Sequence, residues 1–90
     1  MQQNNHNHPA LSLFNELLAV PAPSGREERL AAIIRDKVKE WGYEPETDGA
    51  GNVLVRLDGR SANAPLCCFA AHTDEIGLVV TKVEPDGTLR

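Results

Sequence analysis

The chain has 90 residues, a formal net charge of −4, and hydrophobic and charged fractions of 41% and 24%. This length accommodates one small domain, and the composition is that of a globular protein rather than a disordered one. Basic residues are not clustered and no apolar run approaches the about 20 residues that cross a bilayer, so we expect neither nucleic acid nor a membrane as a partner.

The two cysteines and the N-terminus indicate the cellular compartment of the protein. Cys67 and Cys68 are adjacent within an apolar run, where neighbouring side chains point in opposite directions and a disulfide would be strained. We interpret them as small buried hydrophobic residues. The N-terminus lacks the basic, apolar and small-residue pattern of a secretory signal. Both features favour a cytoplasmic protein.

The N-terminal part predicts a tail followed by a helix. Residues 1–9 are polar, rich in Asn and Gln, and predict a flexible tail that contains His6 and His8. From Ala10 to Val20 apolar residues recur at helical spacing, and Pro21 stops the helix.

A second helix is the strongest prediction of local structure. Ser24 to Glu27 has the form of a capping box, in which the serine hydroxyl and the glutamate carboxylate each bind a backbone N–H. An apolar stripe then runs to Trp41, which we interpret as a core residue, and Gly42 is suited to the position just past the helix end.

Beyond Gly42 the spacing of apolar residues predicts about four strands. Tyr43–Thr47 and Val53–Leu57 flank a turn at residues 48–52 in which Gly51 is expected to adopt positive φ. Leu66–Ala71 is a continuous apolar run typical of a strand buried on both faces. Ile76–Val83 predicts a further strand, followed by a turn at residues 85–87. Two helices and about four strands give an α/β fold class.

His72 and Asp74 are the candidate site residues, because they follow the predicted buried strand. The loops after such strands form the ligand-binding edge of α/β sheets. Imidazole binds first-row divalent metals, and a carboxylate on its other ring nitrogen fixes the tautomer. The alternative is a histidine that merely hydrogen-bonds an aspartate at a turn. One histidine cannot complete a site, since catalytic zinc takes three protein ligands, and His6 and His8 lie in the predicted tail.

Three stretches together resemble a known family. They are Ala22–Gly25 with Glu27 or Glu28, Asp48 with Gly51–Val53, and Ala71–Gly77, which contains His72, Asp74 and Glu75. In order and spacing they resemble the dinuclear-metal aminopeptidases that include glutamyl aminopeptidases, deblocking aminopeptidases and TET peptidases. The resemblance runs from about Leu11 to the last residue, and Glu-Ile-Gly after His-x-Asp makes the third stretch the most specific.

The resemblance implies a fold and a division of the chain. It implies the N-terminal portion of a zinc-exopeptidase α/β/α sandwich, with residues 10–75 in the metallopeptidase domain. Residues 76–90 would begin an inserted β dimerisation domain, and the chain would end inside a hairpin. The remainder of the peptidase chain is therefore an expected partner, and the whole protein is expected to form homo-oligomers.

The resemblance also implies a site and an activity. His72 would be a metal ligand, and Asp74 would be the catalytic-site carboxylate that orients and polarises it. The complete enzyme would use two divalent ions, zinc or cobalt, to hydrolyse N-terminal residues from peptides. The family's other ligands and its glutamate base have no counterpart here, so the chain alone would hold at most one weak partial site and would be inactive.

Several alternatives remain open. The chain could be a non-catalytic truncated subunit or partner-binding module, or another zinc exopeptidase or deacylase with the His-x-Asp motif. Ser24 lacks the sequence context of a nucleophile and is assigned to helix capping. Glu75 could approach the metal ligands or hydrogen-bond the backbone.

Overall fold

The fold consists of two helices followed by a small antiparallel sheet. A computed structural model describes residues 8–90, so most of the predicted tail, including His6, lies outside the described residues. The elements in chain order are α1 (Pro9–Leu18), α2 (Glu28–Glu40), β1 (Pro45–Thr47) and β2 (Val53–Val55). Helices together with strands confirm the expected α/β class. The predicted division of the chain at residue 75 stays a prediction.

Helix α1 begins one residue earlier than predicted and ends two residues sooner. Pro9 occupies the first turn, where its missing N–H costs no hydrogen bond, and the His8 imidazole accepts from the Ala10 N–H at 3.2 Å. None of its residues is buried. An ion pair of 2.9 Å between Glu16 and Lys37 connects α1 to α2.

The predicted capping box at the start of α2 is wrong. Glu27 is the N-cap residue, and no side chain caps the helix. The Glu27 carboxylate instead accepts from the Gly25 N–H at 2.7 Å, and the Ser24 hydroxyl donates to Asp74, 50 residues away. Ser24 was assigned to the cap because local spacing alone cannot show a partner so distant in the chain.

The C-terminal end of α2 agrees with its prediction. Gly42 has φ of +89°, and its N–H donates to the Lys39 carbonyl at 2.9 Å while the Tyr43 N–H donates to the Val38 carbonyl at 3.1 Å. These two bonds form a Schellman motif, which satisfies carbonyls at the helix end.

The buried residues gather on α2 and on the segment before it. They are Ala22, Leu30, Ala31 and Val38. The interpretation of Trp41 as a core residue is wrong, since its side chain is 56% exposed at the position that ends the helix. Helix α2 packs on both strands. The apolar stripe of α2 is therefore only partly covered.

Strands β1 and β2 form a hairpin whose turn is closed by one side chain. Pro45 pairs with Val55 and Thr47 with Val53. The Asp48 carboxylate accepts from the N–H groups of Ala50 and Asn52, each at 2.9 Å, and from the Asn52 amide at 2.8 Å. The Asn52 side chain, followed by these N–H groups, lowers the pKa of Asp48 below its ordinary value.

The expected positive φ in this turn is confirmed at Gly51. Its φ is +87°, and its N–H donates to the Asp48 carbonyl at 3.1 Å. Glycine adopts this backbone conformation without the clash that a Cβ would cause.

The predicted strands at Leu66–Ala71 and Ile76–Val83 do not form. Both segments are irregular, with Phe69 95% and Leu78 100% exposed, and Cys67 and Cys68 are exposed rather than buried. A strand is stable only when a neighbour takes up its backbone hydrogen bonds and a second layer covers its apolar side chains. Within residues 8–90 no segment bonds to the backbone of residues 66–71, and residues 76–83 are bonded to another segment only at their end, where residues 81–83 meet residues 89–90.

The last ten residues turn back on themselves as predicted. Val83 and Leu89 form an antiparallel bridge, and the Gly87 N–H donates to the Glu84 carbonyl at 3.0 Å. The Asp86 carboxylate accepts from the backbone and hydroxyl of Thr88, and these bonds lower its pKa.

Candidate metal centre

His72 presents one ring nitrogen to solvent and uses the other locally. Nδ1 lies 2.9 Å from the Asp74 carbonyl oxygen and 3.1 Å from the Asp74 Oδ1. A carbonyl oxygen can only accept, so Nδ1 carries a proton, and in the neutral ring Nε2 bears the lone pair. The side chain is 85% exposed, and no described residue hydrogen-bonds Nε2. This is the tautomer in which a histidine binds a metal through Nε2.

Asp74 is held on both of its carboxylate oxygens. Oδ1 accepts from His72, and Oδ2 accepts from the Ser24 hydroxyl at 2.5 Å. The Ser24 bond and then the His72 bond lower the pKa of Asp74, because both stabilise its ionised form. An ionised carboxylate at this position orients the histidine ring and favours the tautomer with the proton on Nδ1.

The segment that carries Ser24 is attached to the segment after Asp74. The Glu75 N–H donates to the Ala22 carbonyl at 2.9 Å, and Pro23 and Glu75 form a parallel bridge. The Glu75 carboxylate also accepts from the Ala22 N–H at 3.4 Å. Glu75 therefore hydrogen-bonds the backbone, as one of the two expectations for it held, and its approach to metal ligands stays a prediction.

Gly77 allows these two segments to approach each other. A Cβ atom at this position would lie 3.1 Å from the Cβ of Pro23, tighter than ordinary van der Waals contact. Ala22, which precedes Pro23 in the chain, is only 1% exposed. We name the meeting of residues 22–25 with residues 72–77 the loop junction.

The structure therefore brings together two of the three stretches that the sequence singled out. The third stretch, the turn at Asp48–Asn52, uses its own carboxylate to close itself, and no hydrogen bond or ion pair among the described residues joins it to His72 or Asp74. Its role is to connect β1 to β2.

The residues present fit one ligand of a metal ion and not a whole site. Between residues 8 and 90 no group of three or more His, Cys, Asp or Glu side chains is arranged to hold a metal. His72, with Nε2 free and Nδ1 bound to a carboxylate, has the donor chemistry of a single ligand.

Sequence reasoning missed Ser24 as a member of this cluster. The residue belongs to the first matched stretch, but its spacing to Glu27 favoured a cap, and its contact with Asp74 spans 50 positions. Only the tertiary structure shows such a pairing.

No helix in the described part of the chain is long and apolar enough to cross a membrane.

Comparison with known proteins gives consistent matches. The family model described as M42 glutamyl aminopeptidase matches residues 51–90. The chain is 36% identical to glutamyl aminopeptidase of Lactococcus lactis, over 89% of this chain and 23% of that protein. It is 34% identical to lysyl aminopeptidase of Pyrococcus furiosus, over 87% of this chain and 22% of that protein.

A third relative, cytosol non-specific dipeptidase of Escherichia coli, is 40% identical over 76% of this chain and 14% of that protein. The chain thus spans less than a quarter of the length of these curated relatives. No solved structure matches it. These matches confirm the resemblance of the chain to the N-terminal part of the M42 glutamyl aminopeptidases, a family of peptidases.

Proposed function

We propose that the chain is the N-terminal part of a metal-dependent aminopeptidase that removes N-terminal residues from peptides with the help of two divalent ions, zinc or cobalt. The observation that carries this proposal is the His72–Asp74 pair, in which Nδ1 is bound to Asp74 and Nε2 is free. The named relatives, a glutamyl and a lysyl aminopeptidase, support the same activity.

In this proposal the described residues hold and orient one metal ligand. His72 binds through Nε2, and Asp74 keeps the ring in place and the proton on Nδ1. When bound, the divalent ions polarise the scissile carbonyl and lower the pKa of a bound water. Asp74 stays ionised because Ser24 and His72 both donate to it.

The remaining parts of the machinery are proposed to come from outside residues 1–90. These are the bridging aspartate, the further carboxylate ligands, the second histidine and the glutamate that takes the water proton. The peptide substrate and the assembly into homo-oligomers belong to the whole protein in the same proposal, and its proposed location is the cytoplasm.

The test compares the chain with a longer polypeptide that contains it. The isolated 90-residue chain should not hydrolyse leucine- or glutamate-p-nitroanilide with added cobalt. A polypeptide extended by the codons that follow Arg90 in the gene should hydrolyse at least one of them, and His72→Ala in that polypeptide should abolish turnover. Metal-dependent turnover by the isolated chain, or full activity of the variant, would contradict the proposal.

A non-catalytic, partner-binding role is a second candidate, favoured by the apolar side chains that residues 66–80 expose. Leu66, Phe69, Ile76 and Leu78 are each more than four-fifths exposed. Exposed apolar segments with free backbone groups readily pair with another chain. A reading frame that stops at Arg90, with a stable complex recovered by size-exclusion chromatography, would favour this role.

Another exopeptidase or deacylase is the third candidate, favoured by names among the relatives. They include the Escherichia coli dipeptidase and a putative [LysW]-lysine/[LysW]-ornithine hydrolase of Pyrococcus abyssi that is 31% identical over 84% of this chain and 22% of that protein. Assay of the extended polypeptide on dipeptides, longer peptides and N-acyl amino acids separates these activities. Cleavage restricted to dipeptides or acyl groups would replace the aminopeptidase proposal.

A further inference from the structure

Ser24, Asp74 and His72 form a continuous hydrogen-bonded row. The Ser24 hydroxyl donates to Oδ2 of Asp74, and Oδ1 of the same carboxylate accepts from Nδ1 of His72 together with the Asp74 carbonyl oxygen. We propose that Ser24 is a positioning residue: by holding Asp74 it fixes the orientation and tautomer of His72, so that Nε2 is presented to a divalent metal ion.

The carboxylate needs a second anchor to do this. The terminal torsion of an aspartate is broad, so a carboxylate bound on one oxygen alone can rotate and lose its alignment with the ring. The Asp74 side chain is 38% exposed and therefore has space in which to rotate. The Ser24 bond occupies the other oxygen and restrains that rotation.

Ser24 is itself held by bonds that do not use its hydroxyl. The Arg26 N–H donates to the Pro23 carbonyl at 2.9 Å, and Gly25 has φ of +85°. The bridge between Pro23 and Glu75 attaches this turn to the residue after Asp74. Ser24 and Asp74 are therefore both fixed to the loop junction, which restricts their relative motion.

The hydroxyl has no competing duty among the described residues. Helix α2 begins with Glu27 as its N-cap and uses no side-chain cap, and Glu27 supplies the acceptor for the Gly25 N–H. Asp74 is thus the partner that explains a serine at this position.

The tautomer can be measured without metal. We expect NMR of the 15N-labelled chain to show His72 protonated on Nδ1 in the wild type. In Ser24→Ala the fraction protonated on Nε2 should rise above the wild-type fraction, because the Asp74 carbonyl then holds the Nδ1 proton with less help from the carboxylate. The pair Ser24→Thr and Ser24→Val differs only in hydroxyl against methyl, so Thr should retain the wild-type tautomer and Val should lose it. Ser61 is a loop serine remote in sequence from Ser24 and His72. Ser61→Ala is therefore the control and should leave the His72 tautomer unchanged.

Metal binding supplies the second readout, and this part rests on the function proposed above. Zinc or cobalt is titrated calorimetrically into the chain carrying His6→Ala and His8→Ala, which removes the other two histidines. Ser24→Val should weaken binding about tenfold relative to Ser24→Thr, the size of effect typical of partners that orient a ligand. His72→Ala should abolish it.

The outcomes separate the two proposals. If His72→Ala leaves metal binding unchanged, His72 is not the ligand and the proposed function fails, while the tautomer measurement still decides the role of Ser24. If Thr and Val variants show the same His72 tautomer, with helical circular dichroism equal to wild type, the positioning role is overturned. If Ser24→Val loses the helical signal, Ser24→Ala takes its place, and Ser24→Ala and Ser24→Thr must then differ in the His72 tautomer for the proposal to stand.

Discussion

Residues 9–55 and residues 66–90 are built by different kinds of interaction. The first region contains both helices and the hairpin, and it holds the four apolar residues that are buried in the described part of the chain. Its elements close their hydrogen bonds within a few residues of sequence. The second region carries a strongly apolar sequence, yet outside the turn at its end it has no regular structure in the described chain.

The difference shows which elements a short chain can form by itself. A helix or a hairpin satisfies its own backbone, whereas a buried strand depends on neighbours on each side. The second region meets the first at the loop junction, and that is where His72 and Asp74 lie. The candidate site therefore lies where the first region, which forms its own hydrogen bonds, holds part of the second region in place.

The largest expected effect is the loss of stability when a buried residue of the first region is truncated, compared with an exposed residue of the second. Leu30 on α2 is 6% exposed, so Leu30→Ala should lower the free energy of unfolding by about 2 to 3 kcal/mol through lost burial and a cavity. Leu78 is fully exposed, and Leu78→Ala should change it by less than about 0.5 kcal/mol. Urea unfolding followed by far-UV circular dichroism measures both. Equal losses would mean that the second region packs as well as the first.

A second comparison tests the end of α2. Gly42 has φ of +89°, so Gly42→Ala should cost about 1 to 2 kcal/mol, because a Cβ clashes in this conformation. Gly49 has no positive φ and nothing within 4 Å of an added Cβ, so Gly49→Ala serves as the matched control. The same urea experiment applies. An unaffected Gly42→Ala would contradict the Schellman motif as a source of order in the first region.

A third test concerns the turn between β1 and β2. Folding lowers the pKa of Asp48 below its ordinary value of 3.8. The ionised carboxylate therefore stabilises the turn fully at pH values above 3.8. This stabilisation is lost as the pH falls through the lower pKa of the folded state. Asn52→Ala removes the largest cause and should raise the pKa toward 3.8. Carboxyl 13C NMR across acid pH measures the midpoint. A midpoint unchanged by the substitution would show that Asn52 does not hold the carboxylate.

The smallest expected effect is at the contact between the two helices. The Glu16 carboxylate lies 2.9 Å from the Lys37 ammonium and raises the pKa of Lys37. The ion pair therefore stabilises the fold at pH values below the pKa of Lys37 in the unfolded chain. This stabilisation is lost as the pH rises through the higher pKa of Lys37 in the folded chain. Glu16→Gln should shift the urea midpoint less than Gly42→Ala does. The shift should vanish in about 1 M salt, where charges are screened within about 3 Å; persistence there would point to a packing effect instead.

Much of the first region could be predicted from sequence because its signals are local. Helical spacing, Pro21 and Gly42 predicted the ends of both helices to within a few residues. The turn at Asp48–Asn52 was also predicted, together with the positive φ of Gly51. The capping box was wrong because Ser24 prefers a distant carboxylate to the helix end. The local capping pattern is thus overridden because the tertiary structure places the Asp74 carboxylate next to the Ser24 hydroxyl.

The second region and the site were predictable only in part. The runs at residues 66–71 and 76–83 have the composition of strands, but pairing partners are not encoded in a local pattern. His72 and Asp74 were predicted as a pair, and the structure places Nδ1 of His72 against Asp74 while the His72 side chain stays 85% exposed. The roles of His72 as ligand and Asp74 as its orienting carboxylate stay predictions.

The most direct test of the site is where a paramagnetic ion binds. Cobalt added to the 15N-labelled chain with His6→Ala and His8→Ala should first broaden the amide signals of Ser24, Thr73 and Asp74, around Nε2 of His72. Signals of the Asp48–Asn52 turn should stay sharp, and His72→Ala should abolish the broadening. Broadening centred on the turn, or broadening at the loop junction that survives His72→Ala, would contradict the assignment of His72 as the metal ligand.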